Sequence, residues 1–300
     1  MTIIVFLALR LLPGDPIFLI VTSSEAQSYT QEQIQAVRHE FGLDKPLVLQ
    51  YFSWVNGVFH GDLGDSIFTR TPVTTELFRR LPVTFYIGIV SFIVGVIIGM
   101  PIGIISAVRR GKWLDQVVII LSNLGITIPS FWLGLILMYI FGLQLKLLPI
   151  MGFTSPFTNF WFSTKQLIMP VACLAVFPIA SNARQTRSSM LEVMRQDYIR
   201  TAWAKGLKER GVILRHALKN GLIPIITWSG MAVPMIVGGA VIVETVFNIP
   251  GMGRLAVSSV LSQDYPYVQA IILIIAVAVA VANLLIDIVY GWVDPRIRFT

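Results

Sequence analysis

Five predominantly apolar stretches of 18 or more residues in this sequence contain no Asp, Glu, Lys or Arg: 83–107, 116–143, 166–183, 221–243 and 267–286. As helices rising about 1.5 Å per residue, they reach across the roughly 30 Å of hydrocarbon in a bilayer. A single water-soluble core would have to bury all five, so lipid is the expected solvent. The composition agrees: 55% of residues are hydrophobic and 13% charged, whereas soluble domains carry about 25% charged residues. A sixth apolar stretch, 2–12, is interrupted only by Arg10 and covers about half a bilayer. It lacks the charged start and small-residue cleavage site of a signal peptide. It is therefore expected to be the outer half of a first spanning helix whose inner half is missing.

Prolines recur inside the runs, at Pro101, Pro129, Pro170, Pro178, Pro224 and Pro234. Bundled membrane helices tolerate them because neighbours re-satisfy the freed carbonyls. The single cysteine, Cys173, excludes an internal disulfide.

Basic residues set the expected orientation, since cytoplasmic loops are enriched in them. With six alternating spans, the loop bearing Arg109, Arg110 and Lys112, the loop 184–220 and the tail 294–300 share one side. They hold 14 of the 23 Lys and Arg residues. Both termini are expected in the cytoplasm, and this placement explains the net charge of +7 without nucleic acid. The expected division is an outer part of the first helix (1–12), an extracytoplasmic helical segment (13–81), a transmembrane core (82–295) that includes the loop 184–220, and a short tail (296–300).

The segment 13–81 is too polar for lipid but is patterned. Thr30 and Gln33 have capping-box spacing, Ile34, Val37 and Phe41 share one face, and Gly42 supplies a stop. A second amphipathic stretch, 46–59, carries Leu47, Tyr51, Trp54, Val55 and Val58, and ends before the turn-prone Gly61-Asp-Leu-Gly-Asp65. Thr71-Pro72 opens a third helix, expected to end at Arg79-Arg80 and to lie along the membrane surface.

The sequence carries no catalytic constellation. There is no phosphate-binding Gly-x-x-x-x-Gly-Lys-Ser/Thr loop. His39-Glu40 starts like a zinc-protease motif, but Leu43 stands where the second histidine would be. Asp62 and Asp65 lie in the polar segment, not within the bilayer as an intramembrane aspartyl protease requires. His39, His60 and His216 read as ordinary structural or solvated residues. No catalytic residue, metal site or cofactor site is expected in this chain.

The most informative stretch is 197–224. It reads as two short helices broken near Gly206 to Gly211, with Thr201, Ala202, Ala204 and Gly206 small enough to admit another surface. Its apolar face carries Ala202, Trp203, Leu207, Val212, Ile213, Leu214 and Leu218. A basic loop can simply obey the positive-inside rule or touch anionic lipid. Lipid attraction needs only charge, so the length, the break and the apolar residues favour protein docking.

These features carry a resemblance. Pro13-Gly-Asp-Pro16, Phe41-Gly-Leu-Asp-Lys-Pro46, Gly61-Asp-Leu-Gly64, Thr186-Arg-Ser-Ser-Met-Leu-Glu-Val193, Asp197-Tyr-Ile-Arg-Thr-Ala202, Ala204-Lys-Gly206, His216-Ala-Leu-Lys-Asn220, Ile249-Pro-Gly-Met-Gly253, Asp264-Tyr-Pro266 and Asp294-Pro-Arg-Ile-Arg298 stand in this order. In order and spacing the chain resembles the permeases of binding-protein-dependent ABC importers, in the dipeptide and oligopeptide B-type subunits of the peptide and nickel branch. The resemblance implies an all-α integral membrane protein of the type I importer permease fold, with six transmembrane helices, the first one truncated, and a helical extracytoplasmic insertion. It implies a multi-pass protein of the prokaryotic inner membrane that takes di- or oligopeptides, glutathione, nickel or metal chelates by alternating access.

The implied partners are a second homologous permease subunit, two ATP-binding subunits that hold ATP and Mg, an extracytoplasmic solute-binding protein, and lipid. In such permeases a Glu-Ala-Ala-x-x-x-Gly loop seats in the ATPase. Alignment on Gly206 places Arg200, Thr201 and Ala202 at the Glu-Ala-Ala positions, so Arg200 departs from the pattern while Ala202 and Gly206 keep it. The implied coupling residues are Arg200, Thr201, Ala202, Ala204, Lys205, Gly206, Leu207, His216, Ala217 and Leu218. Glu244, with Pro250, Gly251 and Gly253, reads as part of an outer gate or as a contact for a substrate-binding protein, against the plain reading of Glu244 as a solvated helix-end carboxylate. Asp287 reads as a structural or snorkelling group, and the aromatics at 131, 132, 160, 161 and 162 as packing and interfacial-belt residues. The rival reading is a secondary transporter or channel not coupled to ATP, but such a transporter should carry charge relays within its spans.

Overall fold

A computed structural model describes residues 2–11, 30–221 and 233–293. Its elements are helical: α1 (Thr2–Leu11), α2 (Gln31–Glu40), α3 (Leu47–Phe59), α4 (Val73–Val108), α5 (Trp113–Thr127), α6 (Ser130–Leu137), α7 (Phe160–Val193), α8 (Asp197–Ala204), α9 (Glu209–Gly211), α10 (Val233–Val246), α11 (Met252–Leu261) and α12 (Tyr265–Val293). π-Helical turns prolong α6 over Met138–Gln144 and α9 over Val212–Ala217. Among the described residues, α4, α7 and α12 are long and apolar enough to cross a membrane, joined by α5 with α6 if that bent pair is one span.

The chain forms two compact units, residues 1–84 with 250–277, and residues 85–249 with 278–300. In the first, α2 begins at the expected capping box: Thr30 accepts from the Gln33 amide and Gln33 accepts from the Thr30 amide. Beyond α2, Gly42 takes a left-handed φ of 62°, a conformation that costs a residue without Cβ little. After α3, the Asp62 carboxylate accepts from the Gly64 amide at 2.8 Å and makes the expected turn. Val73 and Leu77 of α4, Met252 and Leu255 of α11, and Tyr267, Ala270 and Ile271 of α12 form one core cluster. Leu9, Ile67, Tyr265 and Val268 form another.

In the second unit, α4 and α5 lie against α7 through glycines. A Cβ placed on Gly99 or Gly103 would fall 2.6 and 2.5 Å from the carbonyl oxygens of Ile179 and Ala183, and one on Gly125 would fall 2.9 Å from the Ala180 Cβ. Small residues are what membrane helices use for close backbone approach.

Several expectations are corrected. The third helix does not stop at Arg79-Arg80 to lie on the surface. It runs on through Pro82 as the first turns of the 36-residue α4, because no glycine or cap follows Arg80 and a proline removes only one helical hydrogen bond. The run 116–143 is not one straight helix: α5 and α6 meet at 102°. Pro129 disfavours the α region for the residue before it, and Ile128 is extended at ψ 122°. The run 166–183 is the middle of a longer helix, so the loop placed at 184–220 starts only after Val193. Of the run 221–243, positions 222–232 lie outside the described residues, and α10 continues to Val246. The segment 13–29, with its block 13–16, and the tail 294–300 also lie outside them.

Candidate functional site

The loop after α7 folds back onto the adjoining ends of α4 and α7. α8 buries Ile199 and Ala202, and Thr201 Oγ donates to the Asp197 carbonyl at 3.0 Å. Arg200 turns outward and pairs with the exposed Asp197 carboxylate at 3.3 Å. The Gly206 amide donates to the Trp203 carbonyl at 2.9 Å, and Gly206 itself has φ +72°, which ends the helix. The break spans residues 205–208, and Gly211 belongs to the second helix instead of marking the break. Asn220 closes the loop, donating to the Tyr198 hydroxyl at 2.8 Å, while Ser189 Oγ donates to the Gly221 carbonyl at 2.9 Å.

The apolar face assigned to docking divides in two. Ala202, Val212, Ile213 and Ala217 are buried with Ala107 of α4, Met190 of α7 and Ile199, and Leu218 packs beside them. They hold the loop to its own chain and are not available to a partner. Trp203, Leu207 and Leu214 remain exposed, together with Tyr198. The buried members face α4 and α7, and the exposed ones face away from them. Of the ten candidate residues, Arg200, Thr201, Ala204, Lys205, Gly206 and Leu207 lie on the exposed tip, His216 and Leu218 are half-buried, and Ala202 and Ala217 are core.

Two features of the second unit carry no local sequence signal. Asp115, in the first turn of α5, is 2% exposed. Its Oδ1 accepts from Ser106 Oγ of α4 and from Arg187 Nε of α7, both at 2.6 Å. Its Oδ2 accepts from the Gly111 amide at 2.9 Å and from an Arg187 Nη at 3.0 Å. Glu244, near the end of α10, is 1% exposed, so the solvated reading is wrong. The Ile249 amide donates to its backbone carbonyl at 2.8 Å, and the Gly152 amide donates to that of Phe247 at 3.0 Å. In the first unit, Pro250 leads into α11, capped by Gly251. Gly251 and Gly253 are buried, and the Met252 amide donates to Thr84 Oγ at 2.8 Å. Phe131, Trp132, Phe160, Trp161 and Phe162 are exposed and do not serve as internal packing. His39 is not isolated: its Nδ1 lies 2.7 Å from Asp44.

The first unit also holds a cleft of about 600 Å³, whose lining includes Arg10, Glu40, Trp54, Asp62, Arg70 and Gln269. Arg10 stacks 3.6 Å from the Phe6 ring and donates to Gln50 at 2.8 Å. One Nη of Arg10, Trp54 Nε1 and Gln269 Nε2 are buried without a partner among the described residues.

The matches with known proteins fit this architecture. Residues 99–299 match the family model described as binding-protein-dependent transport system inner membrane component, and residues 1–88 match its N-terminal companion. The chain belongs to that family. It is 41% identical over 297 residues to a glutathione transport system permease protein of Pectobacterium atrosepticum, covering 99% of this chain and 93% of that one. It is 40% identical over 301 residues to an oligopeptide transport system permease protein of Bacillus subtilis, covering 99% and 94%. Among solved structures, an inward-facing methionine ABC transporter aligns with a TM-score of 0.61 at 17% identity, over 73% of this chain and 96% of that one. An amino acid ABC transporter aligns at 0.52 and 15%, over 75% and 95%. The fold is therefore that of type I importer permeases, and the chain is a multi-pass inner-membrane permease subunit of an ABC importer. The ATP-independent transporter or channel is not favoured.

Proposed function

We propose that this permease subunit forms half of the translocation pathway for di- or oligopeptides or related small solutes, and works by alternating access. It pairs with a second, homologous permease subunit within lipid, and both its termini face the cytoplasm. Two separate subunits bind and hydrolyse ATP with Mg, and a solute-binding protein delivers the solute from outside.

The observation that carries the reading is the tip of the α8–α9 loop. Trp203 and Leu207 stand exposed around Gly206, while Ala202, Val212, Ile213 and Ala217 anchor the loop to α4 and α7. An exposed apolar tip on a fixed base fits a groove in an ATPase, and gives nucleotide state a means to bias the permease through differential contact. The names of the glutathione and oligopeptide relatives support the solute class. Pro250, Gly251 and Gly253 are assigned to the outer gate, as is Glu244.

The test is made on the assembled transporter. A cysteine at Leu207 is expected to cross-link to an ATP-binding subunit, and Gly206→Val to hydrolyse ATP with little solute moved. Absence of the cross-link, together with normal coupling in Gly206→Val, overturns the reading.

A further inference from the structure

The loop tip receives a signal only if its base is stiff, and the base contains an arrangement that stiffens it. Asp115 is bonded at once to the last turns of α4 through Ser106, to the intervening turn through the Gly111 amide, and to the last turns of α7 through both arms of the Arg187 fork. A carboxylate offers about four acceptor positions, and all are used here. Arg187 lies two turns before the end of α7, which runs directly into the loop. A bidentate Arg–carboxylate pair fixes both distance and orientation, which a lysine or an amide does not.

The surroundings extend the same connection. Above the ion pair, Gly99 and Gly103 of α4 and Gly125 of α5 rest on α7 almost without side chains between them. Below it, Ala107 of α4 and Met190 of α7 are buried with Ala202 of the loop. The ion pair is the polar bolt between two apolar seams, and it joins segments 72 residues apart in sequence.

We propose that Asp115 and Arg187 are positioning residues for energy coupling. They lock α4, α5 and α7 to the base of the α8–α9 loop, so that displacement of the loop moves these helices as one body. This rests on the reading of the loop as the ATPase seat.

The experiment uses the complete transporter reconstituted in vesicles. Asp115→Asn with Arg187→Met removes the pair without leaving a buried lone charge. This double variant is expected to assemble and hydrolyse ATP, while solute moved per ATP falls at least about fivefold, the lower end of ordinary coupling between sites. Spin labels at the exposed positions Lys112 and Lys205 provide a readout that a merely structural role would not move. In the parent protein their separation is expected to be the same without nucleotide and with trapped ATP, and in the double variant to differ between the two states.

Wild-type transport per ATP in the double variant overturns the proposal. So does failure of the double variant to assemble, which would make the pair architectural, and so does a nucleotide-dependent separation in the parent. Gly206→Val, measured alongside, distinguishes the two readings. If the seat is elsewhere, Gly206→Val stays coupled. If only the bolt is wrong, Gly206→Val is uncoupled while the double variant is not.

Discussion

Two buried polar clusters in this permease differ in how completely they are satisfied. In the second unit, the Asp115 carboxylate accepts four hydrogen bonds and meets its counter-ion in fork geometry. In the first, Arg10, Trp54 and Gln269 each leave one donor without a partner among the described residues, beside a cleft of about 600 Å³. A satisfied network in a low-dielectric interior holds one geometry, whereas a buried donor without an acceptor costs about 1–3 kcal/mol. The second cluster is bound to one geometry, whereas the first has donors left for a further bond among the described residues. The satisfied cluster stands at the base of the α8–α9 loop, the proposed ATPase seat, and the unsatisfied one in the other unit.

The largest expected effect comes from breaking the satisfied cluster from one side. Asp115→Ala strands Arg187, and because that arginine is partly exposed the loss belongs at the low end for buried pairs, about 3 kcal/mol. It is measured as a lowered melting temperature of the purified transporter. Gly206→Ala is next: a Cβ at φ +72° costs about 1–2 kcal/mol, and the loss should appear as faster proteolysis confined to the α8–α9 loop. The first cluster should answer with the opposite sign. Trp54→Phe removes an unpaired N–H and keeps the ring, so stability is expected to hold or rise by up to about 1 kcal/mol. A loss of more than that would mean the indole has an acceptor after all, and the contrast between the clusters would vanish.

The smallest effect is a pH dependence. Asp264, ahead of the apolar stretch of α12, is buried, and desolvation raises its carboxyl above the usual range against the opposing bonds from Ser66 Oγ at 2.5 Å and the Ile67 amide. A raised folded-state pKa contributes stability fully below the unfolded value, about 4, and the contribution is lost as pH rises through the folded value. Melting temperature measured upward from about pH 4 should therefore fall less in Asp264→Asn than in the parent.

What was legible in the sequence was local. Thr30 and Gln33, Gly42 and Gly206 are read by neighbours within four residues, and the structure places the cap and both helix ends there. The apolar runs within α4, α7 and α12 were legible because hydrocarbon requires them. What was not legible depended on distant partners. Asp115 and Arg187 look like unremarkable loop-side charges until the fold closes 72 residues between them. Val212 and Ile213 were read with Leu214 as one apolar docking face, and the local pattern does not show that Ala107 of α4 and Met190 of α7 cover them. Pro129 was visible, but nothing near it announced a 102° bend in place of a tolerated kink. The burial of Glu244 had no local signal at all.

The glycines of α4 limit how this molecule can move. Gly95, Gly99 and Gly103 stand four residues apart, each pressed on α7 too closely for a Cβ. A seam lined with long side chains yields to sliding by changing rotamers, but backbone against backbone has no such give. Four residues of helix rise about 6 Å, so the next position in which glycine again faces the same contact is a whole step of that size away. Between steps there is collision, and α4 and α7 therefore travel together or shift by a full notch, like a ratchet instead of a bearing.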